Sequence, residues 1–335
     1  MPNLLDTLAR PLHDLRISVT DRCNFRCTYC MPKAVFGSSH QFLPRADILS
    51  FEEITRLTRI FLSLGVSKIR VTGGEPLLRR DLPQLISQLA HLSDDCDLTL
   101  TTNGALLTEQ SLALRQAGLK RLTVSVDAPD DPTFRKMNDV DFPLHRVLHG
   151  IDSALRSGFT PIKINMVVRR GINDHSIEQM AERFRQPEFI LRFIEYMDVG
   201  NSNRWQSHEV VPANEIIERL RKVATLTPLP PLYPGEVARR FRHHQGAEIG
   251  VISSVSQPFC SLCHRARLSA DGQLYTCLFA HQGHDLRSPL RNGLPDDAIA
   301  DLIRHIWSQR SDRYSELRSS ITTESPKPEM SLLGG

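Results

Sequence analysis

Three cysteines, Cys23, Cys27 and Cys30, fall within eight residues directly after an apolar segment at 14–20. The segment at 14–20 alternates as a strand does, so the thiols sit together in a tight loop at the end of a strand. Thiolates bind soft or borderline metals, and iron–sulfur cubanes usually take four of them. A set of three leaves one metal position free for a further ligand, as catalytic zinc sites do. Spacing alone leaves two alternatives open, a structural zinc loop completed by a distant histidine and thiols packed as small hydrophobes.

A second set of three lies far along the chain. Cys260 and Cys263 are followed by Cys277, on a hairpin at 267–277 turned by Asp271-Gly272. His281 would complete a zinc site of three thiolates and one imidazole. Arg265 and Arg267 weigh the other way. Alternate residues of a strand share a face, so both guanidinium groups project beside the metal, which suits an anionic ligand at an open metal position. A solvated basic edge is the alternative. Six of the seven cysteines lie in these triplets, which is not the pattern of a disulfide framework, and Cys96 reads as a packed thiol.

Strands are expected at 14–20, 68–72, 98–102, 122–126, 162–168 and 189–196, with helices between them and another at 213–221. Ser50 and Glu53 form a capping box for the first helix, which Gly65 ends. Six strand–helix units predict an α/β fold, an incomplete (β/α)6 TIM-type barrel over 1–225, with a doubly wound sheet as the alternative. A proline-rich stretch at 225–235 reads as a linker or strap. Residues 226–335 are expected to form a smaller α+β domain closing the barrel's mouth, with a strand at 248–253, the hairpin and a helix at 296–307. The polar end, 319–335, has the composition of a disordered segment. At 335 residues, 40% hydrophobic and 24% charged, the chain is ordinary for a soluble protein of this organisation. A net charge of +3 argues against a bulk binder of nucleic acid or membrane. Neither a secretory leader nor an apolar run near the roughly twenty residues of a membrane span is present, so a cytoplasmic location is expected.

Unusual residues gather at the expected carboxyl ends of the strands, where barrel active sites lie. Gly73-Gly74-Glu75-Pro76, Thr101-Thr102-Asn103-Gly104, Ser125-Val126-Asp127 and Glu195-Tyr196-Met197-Asp198 would together line a cofactor pocket. Arg16, Arg70, Lys163 and Arg192 are written into apolar strand segments. Buried charge is costly without an anion, so these cations point to a substrate with several phosphates, or else to pairing with Glu195, Asp127 or Glu75. No Walker-type phosphate loop is present.

The three-then-two spacing of the first triplet, with Tyr29 before its last cysteine, resembles the signature of radical S-adenosylmethionine (SAM) enzymes. Adding the second triplet, Arg265-x-Arg267, Tyr196-Met197-Asp198-Val199-Gly200-Asn201 and the terminal Gly334-Gly335, the chain from about Arg16 onward resembles the GTP 3′,8-cyclase (molybdenum cofactor biosynthesis protein A) family. The resemblance implies a [4Fe-4S] cluster on Cys23, Cys27 and Cys30 that binds and cleaves SAM to a 5′-deoxyadenosyl radical, and a second [4Fe-4S] cluster on Cys260, Cys263 and Cys277 that meets guanine. The radical would take the ribose 3′ hydrogen, and the 3′ carbon would attack guanine C8. Tyr29, Gly74, Ser125 and Met197 match SAM contacts, with Glu75 expected to accept the SAM ammonium. Arg16, Arg70, Thr101, Lys163, Arg265 and Arg267 match GTP contacts, and Arg192 is expected to join them. Arg265, Arg267, Gly334 and Gly335 would serve catalysis, the glycines by threading a narrow channel. Implied partners are GTP, an electron donor and, downstream, cyclic pyranopterin monophosphate synthase; the expected state is monomer or homodimer. A radical SAM peptide maturase and a non-catalytic zinc-binding adaptor are the other readings.

Overall fold

The computed structural model describes residues 4–233, 235–318 and 326–334. Six strands alternate with helices through the first two thirds of the chain: β1 (Asp14–Ser18), α1 (Phe51–Ser63), β2 (Lys68–Thr72), α2 (Leu82–Ala90), β3 (Asp97–Thr102), α3 (Leu107–Gln116) and β4 (Arg121–Ser125). There follow α4 (Asp131–Asn138), α5 (Leu144–Arg156), β5 (Ile162–Val168), α6 (Ile177–Arg183), β6 (Phe189–Glu195) and α7 (Ala213–Val223). Neighbouring strands from β1 to β6 pair in parallel, giving the incomplete (β/α)6 barrel expected of six such units. Local chemistry sets the boundaries. The Ser50 hydroxyl accepts the Glu53 N–H while Glu53 accepts the Ser50 N–H, starting α1, and Gly65 at φ +102° ends it.

The rest of the chain extends both open edges of this sheet. It continues as β7 (Leu226–Leu229), β8 (Ala238–His243), β9 (Glu248–Ile252), β10 (Arg265–Leu268), β11 (Gln273–Tyr275) and β12 (His284–Asp285). Helices α8 (Arg287–Arg291), α9 (Asp296–Ser308), α10 (Tyr314–Leu317) and α11 (Met330–Leu333) complete it. β9 pairs in parallel with β6, and β10 in parallel with β1, so the order is β12-β11-β10-β1-β2-β3-β4-β5-β6-β9-β8-β7. Among the described residues β9 and β10 do not pair, and the barrel stays open on that side.

Two expectations need correction. The stretch at 225–235 is not merely a linker, because Leu226–Leu229 forms an edge strand antiparallel to β8. Pro228 is tolerated there because an outermost strand leaves one row of its N–H positions without a ladder partner. The tail is not wholly without structure either. Leu333 is fully buried and Ser331 is 3% exposed, so part of it packs against the barrel.

Burial along β5 explains what faces the cavity. Ile162, Ile164, Met166 and Val168 are buried in the apolar layer, while Lys163, Asn165 and Val167 alternate with them on the opposite face and are half-buried. Arg16 in β1 and Arg70 in β2 likewise break otherwise buried strands. Polar and cationic residues therefore line the barrel's interior.

Candidate functional site

The first thiol loop leaves β1 at its carboxyl end and is held there by backbone pairing. The Gly74 N–H donates to the Thr20 carbonyl at 2.7 Å, and the Glu75 N–H to the Arg22 carbonyl at 2.8 Å. Such close approach requires glycine at 74, where a Cβ would lie 2.4 Å from the Arg22 oxygen. Arg26 fastens the loop from inside, donating to the carbonyls of Cys23 and Phe25 at 2.7 Å each. Asn103, at the end of β3, reaches the Cys23 sulfur at 3.8 Å and the Asn24 side chain at 2.8 Å.

All three thiols are held by burial in their neutral form. Cys23 is pushed up to about 12, by burial first and by Glu75 next, and Cys27 and Cys30 are raised for the same leading reason. A metal that replaces those protons removes the penalty, so binding there releases protons. Sulfur spacing tests which metal fits. Three thiolates on one zinc, about 2.3 Å from it, lie about 4 Å apart. Among the described residues neither triplet gathers its sulfurs within 4.8 Å of one another. The spread suits a polynuclear cluster, and no cysteine is in a disulfide.

Around this loop the strand ends form a polar rim. Tyr29 donates to Asp127 at 2.8 Å, and burial raises the Asp127 carboxyl to about 6. Glu75, 1% exposed, accepts from the Leu77 N–H, the Thr102 hydroxyl and the Asn103 N–H at 3.0, 2.7 and 2.7 Å. Burial lifts it to about 7. Ser125 ends β4, and Met197 follows β6 on the same rim, both half-buried.

The second thiol set lies at the other end of the sheet. Cys260 and Cys263 precede β10, whose partner β1 runs parallel to it, and Cys277 follows the antiparallel β11. All three therefore sit at the amino ends of the barrel strands, separated from the first loop by the length of β1, roughly 15 Å. Arg265 donates to the Cys263 sulfur at 3.2 Å. Burial pushes the Cys263 thiol up, but Arg265 and then Arg310 bring it down to about 6. Burial raises Cys277 to about 12. His281 stands apart, its Nδ1 3.3 Å from the Pro326 carbonyl.

Sequence reasoning missed what braces this set. Asp6 pairs with Arg10 at 2.6 Å and with Arg310 at 3.0 Å, all three buried. Arg10 also donates to the Cys260 carbonyl and Arg310 to the Cys263 carbonyl, each at 2.7 Å. The only signal was the spacing of Asp6 and Arg10, since Arg310 is 300 residues away.

Between the two thiol sets lies a bank of cations. Register places Arg267, Arg16 and Arg70 side by side across β10, β1 and β2. Burial first, then Arg267, Arg70 and Arg265, holds Arg16 well below the usual range; burial also brings Arg267 to about 10 and Lys163 to about 6. Arg70 donates to the Thr101 hydroxyl at 2.9 Å. Among the described residues no carboxylate lies within ion-pair distance of Arg16, Arg70, Lys163, Arg265 or Arg267. Arg192 differs. It is taken by Glu248 at 2.5 Å, with Glu236 at 3.7 Å, and not by Glu195, Asp127 or Glu75.

Gly334 reaches this bank, its carbonyl accepting from Arg267 at 2.5 Å. Gly335 lies outside the described residues. His13, Asp14 and His264 also gather within 4.8 Å, but the Lys68 ammonium sits 3.6 Å from Asp14, where it already supplies a cation.

Residues 17–184 match the family model of the radical SAM superfamily, and residues 189–316 that of Molybdenum Cofactor Synthesis C. The GTP 3′,8-cyclase of Acidothermus cellulolyticus is 57% identical over 319 residues, 94% of this chain and 88% of that protein. Those of Xanthomonas axonopodis pv. citri and Staphylococcus epidermidis are 50% and 47% identical, each over 98% of both chains. In fold the chain is similar to Streptococcus suis SuiB bound to S-adenosylmethionine, with a TM-score of 0.51 at 18% identity over 64% of this chain and 46% of that one. With identity this high along nearly the whole length, the chain belongs to the GTP 3′,8-cyclase family of the radical SAM superfamily.

Proposed function

We propose that this chain converts GTP into 3′,8-cyclo-7,8-dihydro-GTP, the first step of molybdenum cofactor biosynthesis. The observation that carries the reading is the bank of five basic side chains with no carboxylate at ion-pair distance among the described residues, set between two open thiol sets at opposite ends of the barrel. Burying like charges side by side is costly, and a triphosphate offsets that cost. Neither a peptide substrate nor a structural zinc ion calls for such a field. Relatives named GTP 3′,8-cyclase, alike over nearly the whole length, support the same choice.

Cys23, Cys27 and Cys30 would hold a [4Fe-4S] cluster, which together with SAM would supply a 5′-deoxyadenosyl radical on one-electron reduction. Tyr29, Gly74, Ser125 and Met197 line the place for SAM, and Glu75 offers its Oε2, which accepts one hydrogen bond in the described structure, to the SAM ammonium. Cys260, Cys263 and Cys277 would hold a second [4Fe-4S] cluster, which would offer guanine a ligand position. Arg16, Arg70, Lys163, Arg265 and Arg267 hold the phosphates and purine, with Thr101 oriented by Arg70. Arg192 stands outside these contacts, its guanidinium being engaged by Glu248. Gly334, whose carbonyl meets Arg267, would act beside the reacting nucleotide, and Gly335 is assigned to the same catalytic role. Loss of the ribose 3′ hydrogen and closure of carbon 3′ onto C8 leave one unpaired electron, so an outside donor and a proton complete the product.

The first thiol loop and its rim belong to 1–225, and the second set and tail to 226–335. The chain acts as a monomer or homodimer in the cytoplasm, and cyclic pyranopterin monophosphate synthase consumes its product. No helix among the described residues is long and apolar enough to cross a membrane. The test uses anaerobically reconstituted full-length protein with SAM, dithionite and GTP deuterated at the ribose 3′ position. Deuterium recovered in 5′-deoxyadenosine, with cyclised product in equal amount, is the expected result. 5′-Deoxyadenosine without label, or no cyclised nucleotide, would overturn the assignment.

A further inference from the structure

The loop that follows β6 carries Met197 and then turns through Asp198-Val199-Gly200-Asn201-Ser202 against the tail. The Asp198 carboxylate accepts from the Tyr314 hydroxyl at 2.6 Å, Arg318 Nε at 3.0 Å and Lys327 Nζ at 3.2 Å. The Lys327 ammonium also donates to the Asp198 carbonyl at 3.1 Å and lies 4.4 Å from the centre of the Tyr314 ring. Asn201 accepts the Lys327 N–H at 2.9 Å and donates to the Lys327 carbonyl, pairing with its backbone as a strand would.

Two residues further on, Glu329 accepts from the Ser202 hydroxyl at 2.8 Å and the Asn201 N–H at 3.2 Å. Gly200, at φ +67°, makes room for that carboxylate; a Cβ there would lie 2.4 Å from Glu329 Oε2. One five-residue loop thus grips the tail at two points. Beyond the grip, Met330–Leu333 makes a single turn and delivers Gly334 to Arg267. Its seat is narrow, since a Cβ on Gly334 would meet Thr72 Cγ2 at 2.2 Å.

A free glycine-ended tail would lose most of its encounters with the cavity to conformational entropy. Fixed five residues upstream, the same end stays at a high effective concentration beside Arg267. We propose that residues 198–202 are a socket for the C-terminal tail, with Asp198, Lys327 and Glu329 as positioning residues that act through Gly334. The proposal rests on the reading that the terminal glycines serve cyclisation. It adds that the loop after β6, which also bears Met197 on the rim assigned to SAM, is what seats them.

The test compares wild type, Lys327→Met with Glu329→Gln, Lys327→Arg, and a chain lacking Gly334 and Gly335, all reconstituted anaerobically at full length. Both substitutions of the double variant lie on the tail, leaving the barrel sequence unaltered. The double variant is expected to match wild type in iron content and in SAM cleavage. Its cyclised product per 5′-deoxyadenosine should fall about tenfold or more, as removal of charge-assisted hydrogen bonds at a docking point implies. Its tail should be cut faster by protease, and Lys327→Arg, which keeps the charge, should hold both readouts at the wild-type level. A wild-type product ratio in the double variant, while the glycine deletion abolishes cyclisation, overturns the socket alone. A glycine deletion that cyclises GTP as wild type overturns the role of the tail itself.

Discussion

At Gly74 the decisive quantity is a distance to backbone. A methyl group there would sit 2.4 and 2.7 Å from the Arg22 carbonyl oxygen and carbon, and 2.9 Å from the Asp21 oxygen. None of these can swing aside as a side-chain tip would, so Gly74→Ala must displace the thiol loop. Iron per chain is expected to fall by about half, the second set being untouched, and iron and sulfide analysis would read it; unchanged iron would mean that the loop yields. Glu75 poses a different question at the next position. Its two oxygens accept from Leu77, Thr102 and Asn103, and an amide presents a donor where one of those acceptors is needed. Glu75→Gln should destabilise the fold by about 1–3 kcal/mol in denaturant titration. SAM affinity, measured by equilibrium dialysis, should weaken about tenfold if an ammonium contact is lost. Normal affinity would remove Glu75 from the SAM site.

The elements that matter most are strands with cations on their inner face. Lys163 on β5 is brought to about 6 and Lys68 on β2 to about 8, in both cases by burial first. The unfolded chain titrates these groups near 10.5, so between the lowered values and 10.5 it binds more protons than the folded chain. Their contribution therefore makes the ligand-free protein more stable as pH rises through that window and less stable as it falls. A bound polyanion favours the charged ammonium and raises these values again. GTP binding near pH 8 should take up protons, and affinity should weaken as pH rises further. Calorimetry in buffers of different ionisation enthalpy would measure the uptake, and its absence in wild type, or its full persistence in Lys163→Met, would remove Lys163 from the phosphate site. That cations interrupted these strands was legible in the sequence, because unpaired charge in an apolar run has a cost that only function or pairing offsets. That Arg192 belongs to the pairing class was not legible, since Glu248 joins it only through the β6–β9 pairing.

Across the whole molecule, the buried trio Asp6, Arg10 and Arg310 ties the first residues and the end of α9 to the second thiol set. Removing one partner leaves charge buried without compensation, so Asp6→Asn should cost about 3–5 kcal/mol. Iron should be lost from the second set before the first, and a thermal melt with iron analysis would show both; a wild-type melt would mean that the trio contributes nothing net. The chain by itself determined the six strand–helix units, the two thiol loops and the glycine-rich strand end. Those depend on local periodicity, on turns and on spacings of a few residues. Only the tertiary structure decided that β9 and β10 flank the barrel in parallel, that the thiol sets lie at opposite ends of β1, and that the tail is seated rather than loose. Each depends on hydrogen bonds and ion pairs between residues far apart in sequence, and no local pattern encodes which distant partner a strand edge, a buried charge or a tail will meet.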